Sequence, residues 1–391
     1  MPAAALPHVP PAHPRSSSWV GWAAVAAVVG GTSLEIGGLW DISWHMTIGR
    51  DAFWTPAHFA IYLGGALGGI ACGALAIWTT FWGDAASRAA SVRLWGGRAP
   101  FGAWIVIWGA VAMLTAGPFD NWWHNAYGLD VRILSPPHVV LFLGGGAVRL
   151  GACLLILGVQ NRGEGRDSRI ATWFFPYVGA GLLASSAVVL TSQLWPERQH
   201  SSAYLLCAAL AFPPLLLAIA RASKLPWAAT MAAVCYMLFV GAMIWILPLF
   251  AAQPRLGPIT HPVTRMVAPP FPQLLILPAI AIDLFKQRAG FGRSWQRDGV
   301  LAAAAGAVFL AIFLPAQWYF SKFYLSPAAA NAFFGVDRIW SYNTPNYLIR
   351  FSFWDDENAA AAGSLLRAWI AAAATGFCGL RLGNWMAKVK R

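Results

Sequence analysis

An all-α bundle of membrane-crossing helices is the fold class this sequence predicts, and three observations predict it. Of the 391 residues 58% are hydrophobic and only 11% are charged, with a mean hydropathy of +0.56, whereas a soluble domain carries about 25% charged residues. Apolar stretches long enough to cross about 30 Å of hydrocarbon recur along the chain. They lie at 19–46, 56–82, 101–124, 136–159, 171–193, 203–220, 226–252, 272–285, 299–320 and 361–380, which predicts ten spans. The third observation is where the cations fall between them.

The formal charge of +12 would suit a nucleic-acid-binding protein if it were gathered on one face, but it alternates with the spans. With the N-terminus in the cytoplasm, most of the 27 Lys and Arg fall on inside segments. Among them are Arg88, Arg93 and Arg98, then Arg162, Arg166 and Arg169, then Lys286, Arg288, Arg293 and Arg297. This positive-inside pattern places both termini in the cytoplasm of a bacterial-type inner membrane. Nucleic acid is excluded as a partner, and the lipid bilayer is the expected one. The five cysteines form no Cys-x-x-Cys pattern and fall inside predicted spans, so disulfides and covalent haem are not expected.

Residues 1–18 are rich in Pro and Ser and read as a disordered cytoplasmic tail. Residues 19–160 hold two helical hairpins that are copies of one another. Aligned on their aspartates, GLWDISWHMTIGRDAFWTPAHFAIYLGG matches GPFDNWWHNAYGLDVRILSPPHVVLFLGG. The pairs are Asp41/Asp120, Trp44/Trp123, His45/His124, Gly49/Gly128, Asp51/Asp130, Pro56/Pro136, His58/His138 and Gly64-Gly65/Gly144-Gly145. Both hairpins run the same way, so an axis along the membrane normal would relate them. Residues 161–391 supply six further spans. Their outer loop at 321–360 is rich in Trp, Tyr and Phe, ends in Trp354-Asp355-Asp356-Glu357, and reads as an outer cap with interfacial helices.

Asp41 and His45 are four residues apart on a helix and therefore share a face, and His58 returns in the first turn of the next span, behind Pro56. Asp120, His124 and His138 repeat the set. One carboxylate and two imidazoles suit copper, iron or zinc and leave coordination positions open. Ionisable groups in a span are costly and mark function by default. The competing reading is a pair of hydrogen-bonded Asp–His clamps. Asp51 and Asp130 are candidates for holding a ligand imidazole from behind, or ordinary turn residues. Trp40, Trp44, Trp54, Trp122 and Trp123 read as an interfacial belt. Glu35 and Arg149 lie at comparable depth on the first and fourth spans, where pairing would relieve the cost of each. His200 and His261 read as solvated loop histidines.

The spacing Asp41-x3-His45-x12-His58 resembles the copper-binding triad of the C subunit of the particulate methane and ammonia monooxygenase family. The likeness covers 18 of the 391 residues, and the second copy, Asp120-x3-His124-x13-His138, departs from it by one residue. The resemblance implies copper at the outer membrane surface and an oxidoreductase or monooxygenase-like activity. It also implies companion subunits or a periplasmic electron donor. A copper carrier and a non-catalytic subunit of a membrane complex are the alternatives, and a homo-oligomer is compatible with each. The two triads are expected to adjoin one another within the bundle.

Overall fold

The computed structural model describes residues 18–49, 52–128, 134–163, 165–290, 294–337, 340–342, 351–354 and 358–391. Asp51, Asp130 and the acidic run 355–357 lie outside the described residues. In chain order the helices are α1 (Ser18–Thr47), α2 (Pro56–Phe81), α3 (Ala85–Ala89), α4 (Phe101–Tyr127), α5 (Pro136–Arg162), α6 (Arg166–Val189), α7 (Thr191–Leu194), α8 (Ser202–Ala222), α9 (Ala228–Ile246), α10 (Ile276–Ala289), α11 (Trp295–Tyr324) and α12 (Ala362–Met386). Nine of them, among the described residues, are long and apolar enough to cross a membrane. The single sheet among those residues is a hairpin between α3 and α4, Val92–Leu94 with Gly97–Ala99.

The predicted span at 272–285 is the one that differs. A helix occupies only Ile276–Ala289, about 21 Å at 1.5 Å per residue, and the chain before it is extended. Pro269, Pro270 and Pro272 each lack an N–H, which forbids a continuous helix there. The extended segment is largely buried and four of its remaining N–H groups are met by side chains. Val267 donates to Thr47 Oγ1 at 2.8 Å, Phe271 to the Tyr324 hydroxyl at 3.2 Å, Gln273 to the Tyr236 hydroxyl at 3.1 Å and Leu274 to Gln317 Oε1 at 3.0 Å. Irregular backbone survives at membrane depth only with such protein partners. At its far end Lys286 donates to the carbonyls of Ala220 and Leu225, and Asp283 accepts from Thr230 N at 2.8 Å at the start of α9. The segment thus runs from the level of Thr47 to the level of the α8–α9 turn.

α1 packs on α2 and α4 on α5, while α2 meets α4 and α5 meets α1, so these four helices close into a ring. α6 lies against α5, α1 and α9, and α12 against α8 and α11. The connection at 160–170 is tighter than a loop of that length, since α5 runs to Arg162 and α6 starts at Arg166. The 321–360 cap contains a 3-10 turn at Pro327–Ala329 and lies over the end of α1, with Ser341 N donating to Met46 O at 2.9 Å. Interfacial helices are not seen among its described residues.

Candidate metal centre

Two glycine contacts set each hairpin. A Cβ on Gly30 would stand 2.5 Å from the carbonyl oxygen of Gly64, and one on Gly109 would stand 2.6 Å from that of Gly144. Gly30 and Gly109 each lie eleven residues before the aspartate, and Gly64 and Gly144 each lie six after the second histidine. Backbones this close bring the carboxylate of one helix within reach of the imidazole on its neighbour. Gly49 and Gly128, each eight residues after its aspartate, end the first helix of each hairpin with φ of 79° and 86°, in the left-handed region that favours glycine. The returning helices open on Pro56 behind Thr55, whose hydroxyl accepts from His58 N, and on Pro136 behind Ser135. Proline in the first turn gives up no helical hydrogen bond.

Both triads come together around their carboxylate. Asp41 Oδ2 lies 3.7 Å from His45 Nε2, and its Oδ1 lies 3.3 Å from His58 Nε2. Asp120 Oδ2 lies 3.4 Å from His124 Nε2, and its Oδ1 lies 3.5 Å from His138 Nε2. Each aspartate therefore spends one oxygen on each ring. Asp41 also interacts electrostatically with His138 of the other triad. A side chain at Gly117, three residues before Asp120, would touch Phe53 and Tyr62 of the first hairpin. The two sets adjoin.

The other face of each ring decides its chemistry. His58 Nδ1 lies 3.0 Å from the Ala52 carbonyl and His124 Nδ1 lies 3.2 Å from the Gly128 carbonyl. A carbonyl only accepts, so both Nδ1 atoms carry the proton. In a neutral ring Nε2 then presents a lone pair to a carboxylate that also has only lone pairs, a repulsion that a second ring proton or a metal ion would relieve. An imidazolium–carboxylate bond would close to about 2.7–2.9 Å. Two ligands held about 2.1 Å from one ion at roughly tetrahedral angles would stand about 3.4 Å apart. His138 Nδ1 pairs with the Ser135 hydroxyl at 3.0 Å, where either atom can donate. A ligand imidazole whose second nitrogen is held by a carbonyl or hydroxyl is the usual arrangement at a metal. Among the described residues no group of three or more His, Cys, Asp or Glu is already placed to hold a metal ion, so binding one would require the side chains of each triad to move.

Glu35 on α1 and Arg149 on α5 form an ion pair, and the Ser185 hydroxyl donates to Glu35 Oε1 at 2.7 Å. His200 is not solvated: it is fully buried between the rings of Trp318 and Phe353, with centroids 3.5 and 3.7 Å away. Its Nε2 donates to the Trp318 carbonyl at 3.1 Å. His261 lies under the cap, where its N–H meets the Ser341 carbonyl. Trp54 and Trp122 are exposed as an interfacial belt requires, whereas Trp40 and Trp44 are partly buried against the core. The sequence reading missed Gly30, Gly109, Ser135 and a cavity in which Trp195, Trp340 and Tyr324 surround Glu197. The two glycines could have been found by carrying the alignment of the copies eight residues further back. Comparisons with family models, curated proteins and solved structures find no match to this chain.

Proposed function

We propose that this protein is an integral membrane metalloprotein in which Asp41, His45 and His58 hold one transition-metal ion and Asp120, His124 and His138 hold a second. The observation that carries the reading is the facing of imidazole lone pairs and carboxylate in both hairpins, with the Nδ1 protons of His58 and His124 committed to backbone carbonyls. The matching glycine contacts support descent of the two hairpins from one. Two imidazoles and a carboxylate favour copper over the other divalent ions such a site meets, in keeping with the resemblance to the monooxygenase C subunit. Iron and zinc are the competitors. The protein lies in the inner membrane with both termini cytoplasmic, the extended segment and α10 together making the tenth crossing, and the triads face outward.

Three protein ligands leave each ion a position for water, dioxygen or substrate, and His45 is 45% exposed. A bound copper ion would supply one-electron chemistry and dioxygen activation there. The chain's own residues fix the imidazole tautomers, set the ligand spacing and bring two such sites side by side. This supports a copper-dependent oxidoreductase that works with a periplasmic electron donor or companion subunits. A carrier is disfavoured, because the sequence supplies no ladder of Met, His or Cys continuing below the triads.

The test is purification without chelator, copper loading and spectroscopy in both redox states. An electron paramagnetic resonance signal with nitrogen hyperfine splitting, lost on reduction and recovered with dioxygen, is expected. Copper that binds but does not recover its signal with dioxygen would leave a metal site and exclude the oxidoreductase.

A further inference from the structure

Three cavities follow one another into the bundle, and the extended segment lines the outer two. The outermost, about 100 Å³, is walled by Trp195, Trp340 and Tyr324, and holds Glu197. Phe351 and Trp354, 41% and 40% exposed, stand at its rim. Pro270 is shared with a second cavity of about 30 Å³ bounded by Leu39, Ile42 and Gln273. Ala184 and Tyr236 are shared by that cavity and a third, also about 30 Å³ and so room for a single water, which holds the Glu35–Arg149 pair. Adjacent spaces that share walls need only small side-chain movements to connect. Unwound backbone at this depth is tolerated where it lines such a cavity.

We propose that these cavities form one water-filled path by which protons enter from the triad-bearing face and reach Glu35, independently of whether metal is bound. Both ends of the path hold a carboxylate oxygen in want of a proton. Glu197 Oε2 and Glu35 Oε2 are buried and have no hydrogen-bond partner, whereas Glu35 Oε1 is occupied by Arg149 and Ser185. Between them lie the Tyr204 hydroxyl on Gln273 Oε1 at 2.5 Å and the Tyr236 hydroxyl, which borders both inner cavities. The groups facing Glu35 are Arg149 of α5, Tyr177 and Ser185 of α6, and Cys235 and Tyr236 of α9.

A proton taken from water at the outer face bonds to Glu35 Oε2. The carboxylate is neutralised, Arg149 keeps its charge, and one positive charge has moved into the bundle. One turn deeper on α1 the Thr32 and Tyr177 hydroxyls pair at 2.7 Å, and beyond them the buried side chains are Val20, Ala23, Ala24, Ala27 and Val28, which offer a proton nothing. The path therefore opens to one face.

The test uses the full chain in sealed vesicles of known orientation, with infrared difference spectra recorded while the pH on each side is stepped separately. A protonated-carboxyl band that grows as the triad-face solution is acidified, and is lost in Glu35→Gln, is expected. A band that follows only the opposite solution, or that survives in Glu35→Gln, would overturn the proposal. Should that variant fail to fold, Cys235, which borders the innermost cavity, serves as a second probe in a chain carrying Cys207→Ala and Cys378→Ala. Silver ion added at the triad face should modify it, and Ala184→Phe should block the reaction. Modification from the opposite face alone, or no effect of the block, would also overturn the proposal.

Discussion

The two hairpins carry the same Asp–His–His set and the same glycine contacts, yet their surroundings differ. The end of α1 is tied down on several sides. Ser43 donates to the Val267 carbonyl at 2.5 Å, Thr47 accepts from Val267 N, Arg255 N donates to Ile48 O at 2.9 Å, and the Tyr342 hydroxyl donates to the same Ile48 oxygen. A Cβ on Gly49 would strike the Tyr342 ring. The end of α4 has no such cover among the described residues, and Trp122, Tyr127 and Leu134 around it are exposed. The same three side chains thus stand once on a braced helix end and once on a helix end flanked by exposed residues, although His45, at 45%, is the most exposed of the six. Since preorganised ligands lose less freedom on binding an ion, the first triad should hold metal more tightly and the second should exchange it faster.

The largest effect should come from the glycine contacts, which both hairpins need equally. Gly64→Val or Gly144→Val forces a side chain into the opposing backbone and should cost about 3 kcal/mol or prevent folding, read as loss of folded protein in a thermal-stability assay. If one hairpin tolerated the change, the two would not share the packing described. Next in size, Tyr342→Phe and Ser43→Ala should loosen only the first triad. A tenfold to hundredfold fall in affinity at one of two sites, as is usual for groups behind a ligand, is expected in a metal titration. An equal fall at both sites would erase the distinction between braced and open.

The smallest effect concerns Glu197, beside Met46 in the outer cavity. Burial holds its carboxyl above the usual range, outweighing the opposite pull of its own backbone and of Arg198. The folded chain thus keeps this proton to higher pH than the unfolded chain does. Stability from this group is complete below the ordinary value of 4.5 and is lost as pH rises through the raised value. Glu197→Gln should therefore melt higher than the native chain at neutral pH and level with it in acid. A lower melting temperature at neutral pH would show that the carboxylate is paired and stabilising.

Much of the bundle could be read from residues alone, because a long apolar run has one stable form in lipid and the Asp–His–His spacing survives translation into helix faces. The ion pair of Glu35 and Arg149 could be read for the same reason, two isolated charges at one depth. The extended segment 266–275 could not be read from hydropathy, which is blind to backbone. Pro269, Pro270 and Pro272 were the available sign, since they break a helix without lowering apolarity. His200 misled because a histidine between two predicted spans looks wet, and only tertiary packing places Trp318 and Phe353 on either side of it. The bracing of the first triad depends on contacts between Ile48 and Tyr342, almost three hundred residues apart, which no local pattern encodes.

The central claim is that each Asp–His–His set holds one ion, and counting metal in three forms of the protein tests it most directly. The native chain should retain two ions per molecule after copper loading and desalting. Asp41→Ala with His45→Ala should retain one, Asp120→Ala with His124→Ala should retain one, and the ion remaining in the first of these variants should be the more readily removed by chelator. Two ions in either variant, or none in the native chain, would contradict the account.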